Sequence, residues 1–241
     1  MHRAQLSDEA ASYIRDMIMS GQLPSGTFIR LDHMADMLEM SVTPVREALV
    51  LLRGEGFVQL EPRRGFVVAP LSKADVVDLF WVQSEIAGEL AARAAAHITD
   101  AEVGELRTLQ TQLEAASERD GAADIEQLNF LIHRRINLLA HSPKLAWLLR
   151  VATRYAPRRF WGTIHGWVEA SVADHAAILD GLEARDPEHV RKAMREHIMH
   201  AGTLLVAHLE KEVLAEAWAA DDDEPAAGVR HQFQPPVRGE R

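Results

Sequence analysis

The nine residues Ser41-Val42-Thr43-Pro44-Val45-Arg46-Glu47-Ala48-Leu49 constrain this chain more than any other stretch. They open a helix. Ser41 stands where an N-cap side chain accepts from the free N–H groups of the first turn. Pro44 falls inside that turn, where its missing N–H removes no intrahelical bond. Val45, Ala48, Leu49 and Leu52 follow at i, i+3, i+4 and i+7, one apolar stripe, while Val42, Thr43, Arg46 and Arg53 occupy the opposite face. Just upstream, residues 31–38 read as a shorter helix with Asp32 as its cap. Two short helices joined by a tight turn at residues 39–41 make a helix-turn-helix. Gly54 and Gly56 stop the second helix. Residues 57–60 and 65–68 then read as two strands around Glu61-Pro62-Arg63-Arg64, a hairpin with a basic tip.

Pro44-Val45-Arg46-Glu47-Ala48-Leu49, then Glu55-Gly56-Phe57-Val58, then Pro62-Arg63-Arg64-Gly65-Phe66-Val67-Val68 resemble the winged helix of GntR-family transcription regulators. Ile18 to Gly26 is similar to that family's first helix and turn, so the resemblance covers about 65 continuous residues. It implies a DNA-binding function, with contacts from Ser41, Val42, Thr43, Arg46, Arg63 and Arg64. Many relatives carry Ser-Arg-Thr-Pro where this chain has Ser41-Val42-Thr43-Pro44. An arginine able to pair with guanine is therefore missing, and Val42 offers contact with a thymine methyl instead.

Charge argues the other way at first. The chain of 241 residues carries a net charge of −10, and residues 1–70 hold seven Arg against nine Asp and Glu. Nucleic-acid binding must then depend on where a few arginines sit and on a homodimer that doubles them over a palindromic double-stranded operator, with strong weakening by salt. There is no cysteine, which excludes disulfides, thiolate metal sites and cysteine nucleophiles. No apolar run approaches the roughly 20 residues that span a bilayer, and the N-terminus lacks a signal-peptide pattern. These features predict a cytoplasmic chain with no membrane partner.

Upstream of the helix-turn-helix, residues 1–5 read as frayed and 6–20 as a helix with Ile14, Met17 and Ile18 on one face. Downstream, Pro70-Leu71 is a short linker, and everything to residue 220 reads as helix. Ser72 to Asp75 and Thr99 to Glu102 are capping boxes. Helices are predicted over 72–98, 99–119, 124–141, 144–165 (kinked or split at Pro157), 167–184 and 187–219, with Ser142-Pro143 and Asp186-Pro187 as starts. The fold class is mostly α. A winged helix-turn-helix of three helices plus a β-hairpin fills residues 1–70, an all-α bundle fills 71–220, and an acidic, then Pro/Gly-rich tail over 221–241 reads as disordered.

Four polar residues of the bundle stand apart. Asn129 and His133 are spaced i, i+4, so both point from one helix face. His175 lies eleven residues before Asp186 and His197 eleven after it. In an antiparallel pair this puts them level, roughly 16 Å from the turn. Three imidazoles and one oxygen so gathered suit a divalent transition metal (Zn, Ni, Mn or Fe) rather than Mg or Ca. The competing reading is histidines capped or solvated on helix faces.

Residues 72–215 resemble the FCD ligand-binding domain that follows this winged helix in one GntR subfamily. The resemblance implies a metal held by an Asp-x-x-x-His pair and two later histidines, in contexts similar to Asp174-His175-Ala176-Ala177 and Arg195-Glu196-His197-Ile198. It also implies a small organic acid as effector. Two departures matter. Asn129 stands where Asp is usual, and Gln83 stands in place of an arginine that clamps a carboxylate. Arg134, Arg154 and Arg158 are the replacement candidates for effector binding. The leading function is then a repressor whose operator affinity is set by an organic acid at a metal site. A regulator with a structural or sensed metal and no effector is the alternative. A metal-dependent enzyme ranks below both, because no general base accompanies the histidines.

Overall fold

The structure is a computed structural model that describes residues 2–119, 122–155 and 161–212. Among these, the N-terminal part comprises α1 (His2–Met19), β1 (Phe28–Ile29), α2 (Leu31–Met37), α3 (Val42–Gly54), β2 (Val58–Glu61) and β3 (Gly65–Val68). Val45, Ala48, Leu49 and Leu52 are fully buried, so the stripe that defines α3 is its core face. They pack with Ile14, Met19 and Met34 under a sheet ordered β1-β3-β2. Antiparallel pairing puts Phe28 opposite Val67 and Leu60 opposite Phe66.

Several local expectations are corrected. Ser41 takes the N-cap position of α3 with extended backbone, but its hydroxyl makes no cap hydrogen bond. Asp32 lies in the first turn of α2, and Arg30 holds the cap position. The helix α1 reaches back to His2, since residues 2–6 contain no Gly or Pro to stop it. The strand β1 was not foreseen; at two residues it is too short to show alternation.

The helical part comprises α4 (Lys73–Ala95), α5 (Asp100–Ser117), α6 (Ala122–Leu139), α7 (Pro143–Ala152), α8 (Trp167–Glu183) and α9 (Pro187–Glu212). Both capping boxes form. The Ser72 hydroxyl accepts from the Asp75 N–H and the Thr99 hydroxyl from the Glu102 N–H, and each N3 carboxylate accepts back from the cap backbone. Residues 144–165 do not form one helix. The helix α7 ends at Ala152 and runs into a 3-10 turn (Thr153–Tyr155); a second such turn (Trp161–Thr163) precedes α8. A proline at 157 would clash with the carbonyl of residue 153, which accounts for the stop. Pro157 itself and the tail over 221–241 lie outside the described residues.

The long helices α4 and α9 run antiparallel in close contact. A Cβ on Gly88 would stand 2.7 Å from Arg195 Cγ, and one on Gly202 would stand 2.6 Å from Phe80 Cγ. These glycines set the register that places the bundle's polar residues. Among the described residues no helix is long and apolar enough to cross a membrane.

The two parts touch through the 3-10 turn after α7. Tyr155 stacks on Phe57 with ring centroids 4.3 Å apart. Glu55, at the end of α3, accepts from Arg15 at 2.6 Å and pairs with Arg154.

Candidate functional site

His133 on α6, His175 on α8 and His197 on α9 converge. One nitrogen from each lies within 4.8 Å of the others. Ring centroids are 5.0 Å apart for His133 and His197, 5.3 Å for His133 and His175, and 4.9 Å for His175 and His197. The Nε2 atoms of His133 and His197 are 3.1 Å apart. Equal spacing from the Asp186 turn does set His175 and His197 level, and the i, i+4 geometry of α6 brings Asn129 to the same side as His133.

Two neighbours aim the rings. Gln110, on α5, donates through its amide nitrogen to Glu114 Oε1 at 2.9 Å and to the Val172 carbonyl at 3.2 Å. Its oxygen is left to accept from His175 Nδ1 at 3.0 Å. His175 therefore carries its proton on Nδ1 and presents a bare Nε2, which is buried without a partner. On α9, His197 Nδ1 donates to Asp174 Oδ2 at 3.3 Å, which leaves its Nε2 lone pair facing His133 Nε2. This is how a metal-ligating imidazole is held: the outer nitrogen is tied and the inner lone pair points in.

Electrostatics keep the His133 and His175 rings neutral. Burial first, and the neighbouring His197 second, push His133 down to about 3. Burial also takes His175 well below its ordinary value, with His197 and His133 adding to it. The hydrogen bond from His197 leads in holding the Asp174 carboxyl below the usual range. Neutral imidazole is the form that ligates a metal. Asn129 Oδ1 is likewise buried and unpartnered. Buried polar atoms without partners are rare in native folds, so these two orphans fit a site built for a further group. Three nitrogens and one neutral oxygen suit a borderline transition metal. His200 is exposed and outside the triad, although it shares Asp174 at 3.0 Å.

The effector candidates are dispersed. Gln83 is buried on α4, and its Nε2 has no partner. Arg134 is exposed on α6. Arg154 is engaged with Glu55 between the two parts of the molecule. Arg158 lies outside the described residues. A groove of about 380 Å³ between α4 and α9, lined by Trp81, Arg191, Arg195 and Met199 among others, does not include the triad residues.

On the N-terminal part, Ser41, Thr43, Arg46, Arg63 and Arg64 are exposed and Val42 is partly so. Arg46 at the start of α3 and Arg64 at the hairpin tip line one groove of about 650 Å³ together with Arg30. Arg64 lies over the Phe28 ring at 5.1 Å and 3.5 Å from Glu61. Sequence reasoning missed Arg30, whose place depends on the unforeseen strand β1. It missed Gln110 too: 65 residues separate it from His175, and no spacing signals the pair. Asp174 was visible only as the neighbour of His175.

Both parts of the chain are similar to known proteins. Residues 6–68 match the bacterial regulatory proteins of the gntR family, and residues 78–200 match the FCD domain. An HTH-type transcriptional regulator of Mycobacterium tuberculosis is 25% identical over 233 residues, covering 95% of this chain and 94% of that protein. The HTH-type transcriptional repressor RspR of Escherichia coli is 27% identical over 188 residues, covering 77% of this chain and 82% of RspR. The solved structure of E. coli McbR/YncC superposes with a TM-score of 0.65 at 23% identity, over 84% of this chain and 98% of that one.

Proposed function

We propose that this chain, which belongs to the gntR family of bacterial regulatory proteins and carries an FCD domain, represses transcription from a palindromic operator and releases it when a small organic acid binds beside a divalent transition metal. That it is a DNA-binding transcriptional regulator follows from the family. Its relatives are regulators rather than enzymes, which sets the enzyme reading aside. The metal, the acid and the direction of control are the proposed part.

The observation that carries the proposal is the converging triad, with His175 and His197 buried and the Nε2 of His175 and Oδ1 of Asn129 unpartnered. His133, His175 and His197 supply nitrogens, Asn129 supplies a neutral oxygen, and Gln110 and Asp174 hold two of the rings. All six lie within the FCD match. When bound, a divalent transition metal offers open coordination positions to a carboxylate. Gln83, Arg134, Arg154 and Arg158 remain the candidates for further effector contacts. Of these, Gln83 is the buried one among the described residues, and Arg158 would supply countercharge from the segment before Trp161.

On the DNA side, Arg46 and the start of α3, with Ser41, Val42 and Thr43, read the major groove, while Arg63 and Arg64 serve the phosphates. The acidic balance of the chain favours a homodimer, and a two-fold dimer matches a palindrome. The name of RspR supports repression over activation. Coupling runs through the Arg154–Glu55 pair and the Tyr155–Phe57 stack, because these join the bundle to the end of α3. An acid shifts DNA affinity only by its differential affinity for the two arrangements, typically about 1–3 kcal/mol.

The test is operator binding by metal-loaded and metal-free protein against a panel of organic acids. Release of DNA that requires both metal and acid supports the proposal; release by an acid that ignores the metal contradicts it. A structural metal is the second reading, favoured by the way the triad ties α6, α8 and α9 together. Metal removal separates the two. A structural metal governs the melting temperature, whereas an effector-bearing one chiefly governs acid affinity.

A further inference from the structure

Among the described residues of the bundle, four buried polar atoms lack a hydrogen-bond partner: Asn129 Oδ1, His175 Nε2, Gln83 Nε2 and Ser171 Oγ. The first two belong to the candidate metal centre. Helix register brings the other two beside it. Ser171 is one turn before His175 on α8, and Asn129 is one turn before His133 on α6. On α4, Phe80 meets Gly202, and Gly88 meets Arg195, so Gln83 stands level with residues 198–200, within about one turn of His197.

The same three helices share a lid one turn further out. Phe80, three residues before Gln83, meets Trp161 edge-on at 6.2 Å. Trp167, four residues before Ser171, stacks on Trp161 at 5.4 Å. Glu126, three residues before Asn129, accepts at 3.1 Å from the N–H of Gly162, next to Trp161. The bundle is therefore layered, with aromatic rings outermost, then Gln83, Ser171 and Asn129, then the histidines. From Trp167 to His175 the axial span is about 12 Å.

We infer that the acid sensed here is a monocarboxylate with a neutral hydroxyl or carbonyl oxygen beside its carboxylate and an apolar remainder. Gln83 and Ser171 read the neutral oxygen, and Phe80, Trp161 and Trp167 wall the remainder. This rests on the metal-anchored reading above. Gln83 Nε2 can only donate and the Ser171 hydroxyl can do either, so the layer offers neutral partners for a neutral oxygen. A second carboxylate there would lose its water to an amide and a hydroxyl, with no opposing cation. Among the described residues of the bundle, no Lys or Arg is buried. Flat aromatic walls favour an apolar or aromatic tail.

The experiment is calorimetric titration of Zn²⁺-loaded full-length protein with 3-phenyllactate, 3-phenylpropionate, malate and citrate. The expected order has 3-phenyllactate at least tenfold tighter than the other three. Its advantage over 3-phenylpropionate, which lacks the hydroxyl, should vanish in Gln83→Leu and shrink in Ser171→Ala. Gln83→Arg should move the preference towards malate. The wild-type panel decides the matter even if a variant fails to fold. Malate or citrate binding as tightly as 3-phenyllactate overturns the inference and leaves the metal-anchored reading standing. So does a preference for them that disappears in Arg158→Ala, because that arginine would then hold the second carboxylate. Equal binding of 3-phenyllactate with and without Zn²⁺ overturns the metal-anchored reading, and this inference with it.

Discussion

The DNA-reading part and the helical part build their working surfaces in opposite ways. In the first, the side chains proposed to meet DNA are exposed and close together in the chain: Ser41 to Arg46 lie on one turn and a half at the start of α3, and Arg63 and Arg64 at the adjoining hairpin tip. The buried stripe behind them does nothing but hold them. In the second, the atoms of the candidate metal centre lie inside the bundle and come from four helices, with Gln110 and His175 65 residues apart in sequence. Local pattern is enough to assemble the first surface; the second exists only once the bundle has closed. The first is therefore sensitive to individual charges, and the second to anything that changes the register or protonation of the bundle.

Acid gives the largest expected separation between the two parts. His133 and His175 are held neutral by burial in the folded chain, with His133 at about 3 against an ordinary 6.5. Unfolding lets them charge below about 6.5, so their contribution is fully present above that value and is lost as pH falls towards 3. Asp174, held below the usual carboxylate range, acts in the same direction. The metal-free protein should lose melting temperature steadily over this window. The triple His→Ala variant at 133, 175 and 197 should lose much less. An equal loss in both would remove the triad as the cause.

Core truncation should strike next. Leu49 is fully buried in the α3 stripe, and Leu49→Ala should cost about 2–5 kcal/mol in denaturant unfolding. Operator binding should fall with it while metal content stays constant. A loss of metal as well would mean that the two parts unfold as one unit.

Arg46→Ala comes third. Removing its base or phosphate contact should weaken operator binding by about 1–3 kcal/mol at physiological salt, with the fold intact. Full-strength gel-shift binding by this variant would move the reading surface off α3. The smallest effects separate two caps that the sequence makes look alike. Thr99→Ala should cost about 1 kcal/mol, because the Thr99 hydroxyl accepts a cap hydrogen bond. Ser41→Ala should cost only a few tenths, because Ser41 makes none. A Ser41 cost equal to that of Thr99 would show that a cap bond forms in solution.

The same contrast decides how much was legible in the sequence. The stripe Val45, Ala48, Leu49 and Leu52, the two capping boxes and the hairpin are short-range patterns, and all of them stand in the structure. The triad was legible because its spacing survives projection onto straight helices: i, i+4 on one, and equal distances from a single turn on a pair. Gln110 was not, since its approach to His175 depends on how α5 packs across α8. Ser171 was hidden for a similar reason: Gln83 stood out from the family pattern, but the level of Ser171 beside it depends on how α8 packs in the bundle. The interruption within residues 144–165 was legible from Pro157, but the helix ends earlier than the proline itself, at Ala152, and runs into a 3-10 turn.

The central claim is that the bundle's histidines hold one transition metal on which acid sensing depends. Elemental analysis tests it most directly, on the purified wild type and the triple His→Ala variant, each dialysed against the same trace of Zn²⁺. The account predicts near-stoichiometric metal in the wild type, very little in the variant, and tighter retention in Asn129→Asp, which adds charge to an oxygen already aimed at the site. Equal metal content in the wild type and the triple variant would contradict it.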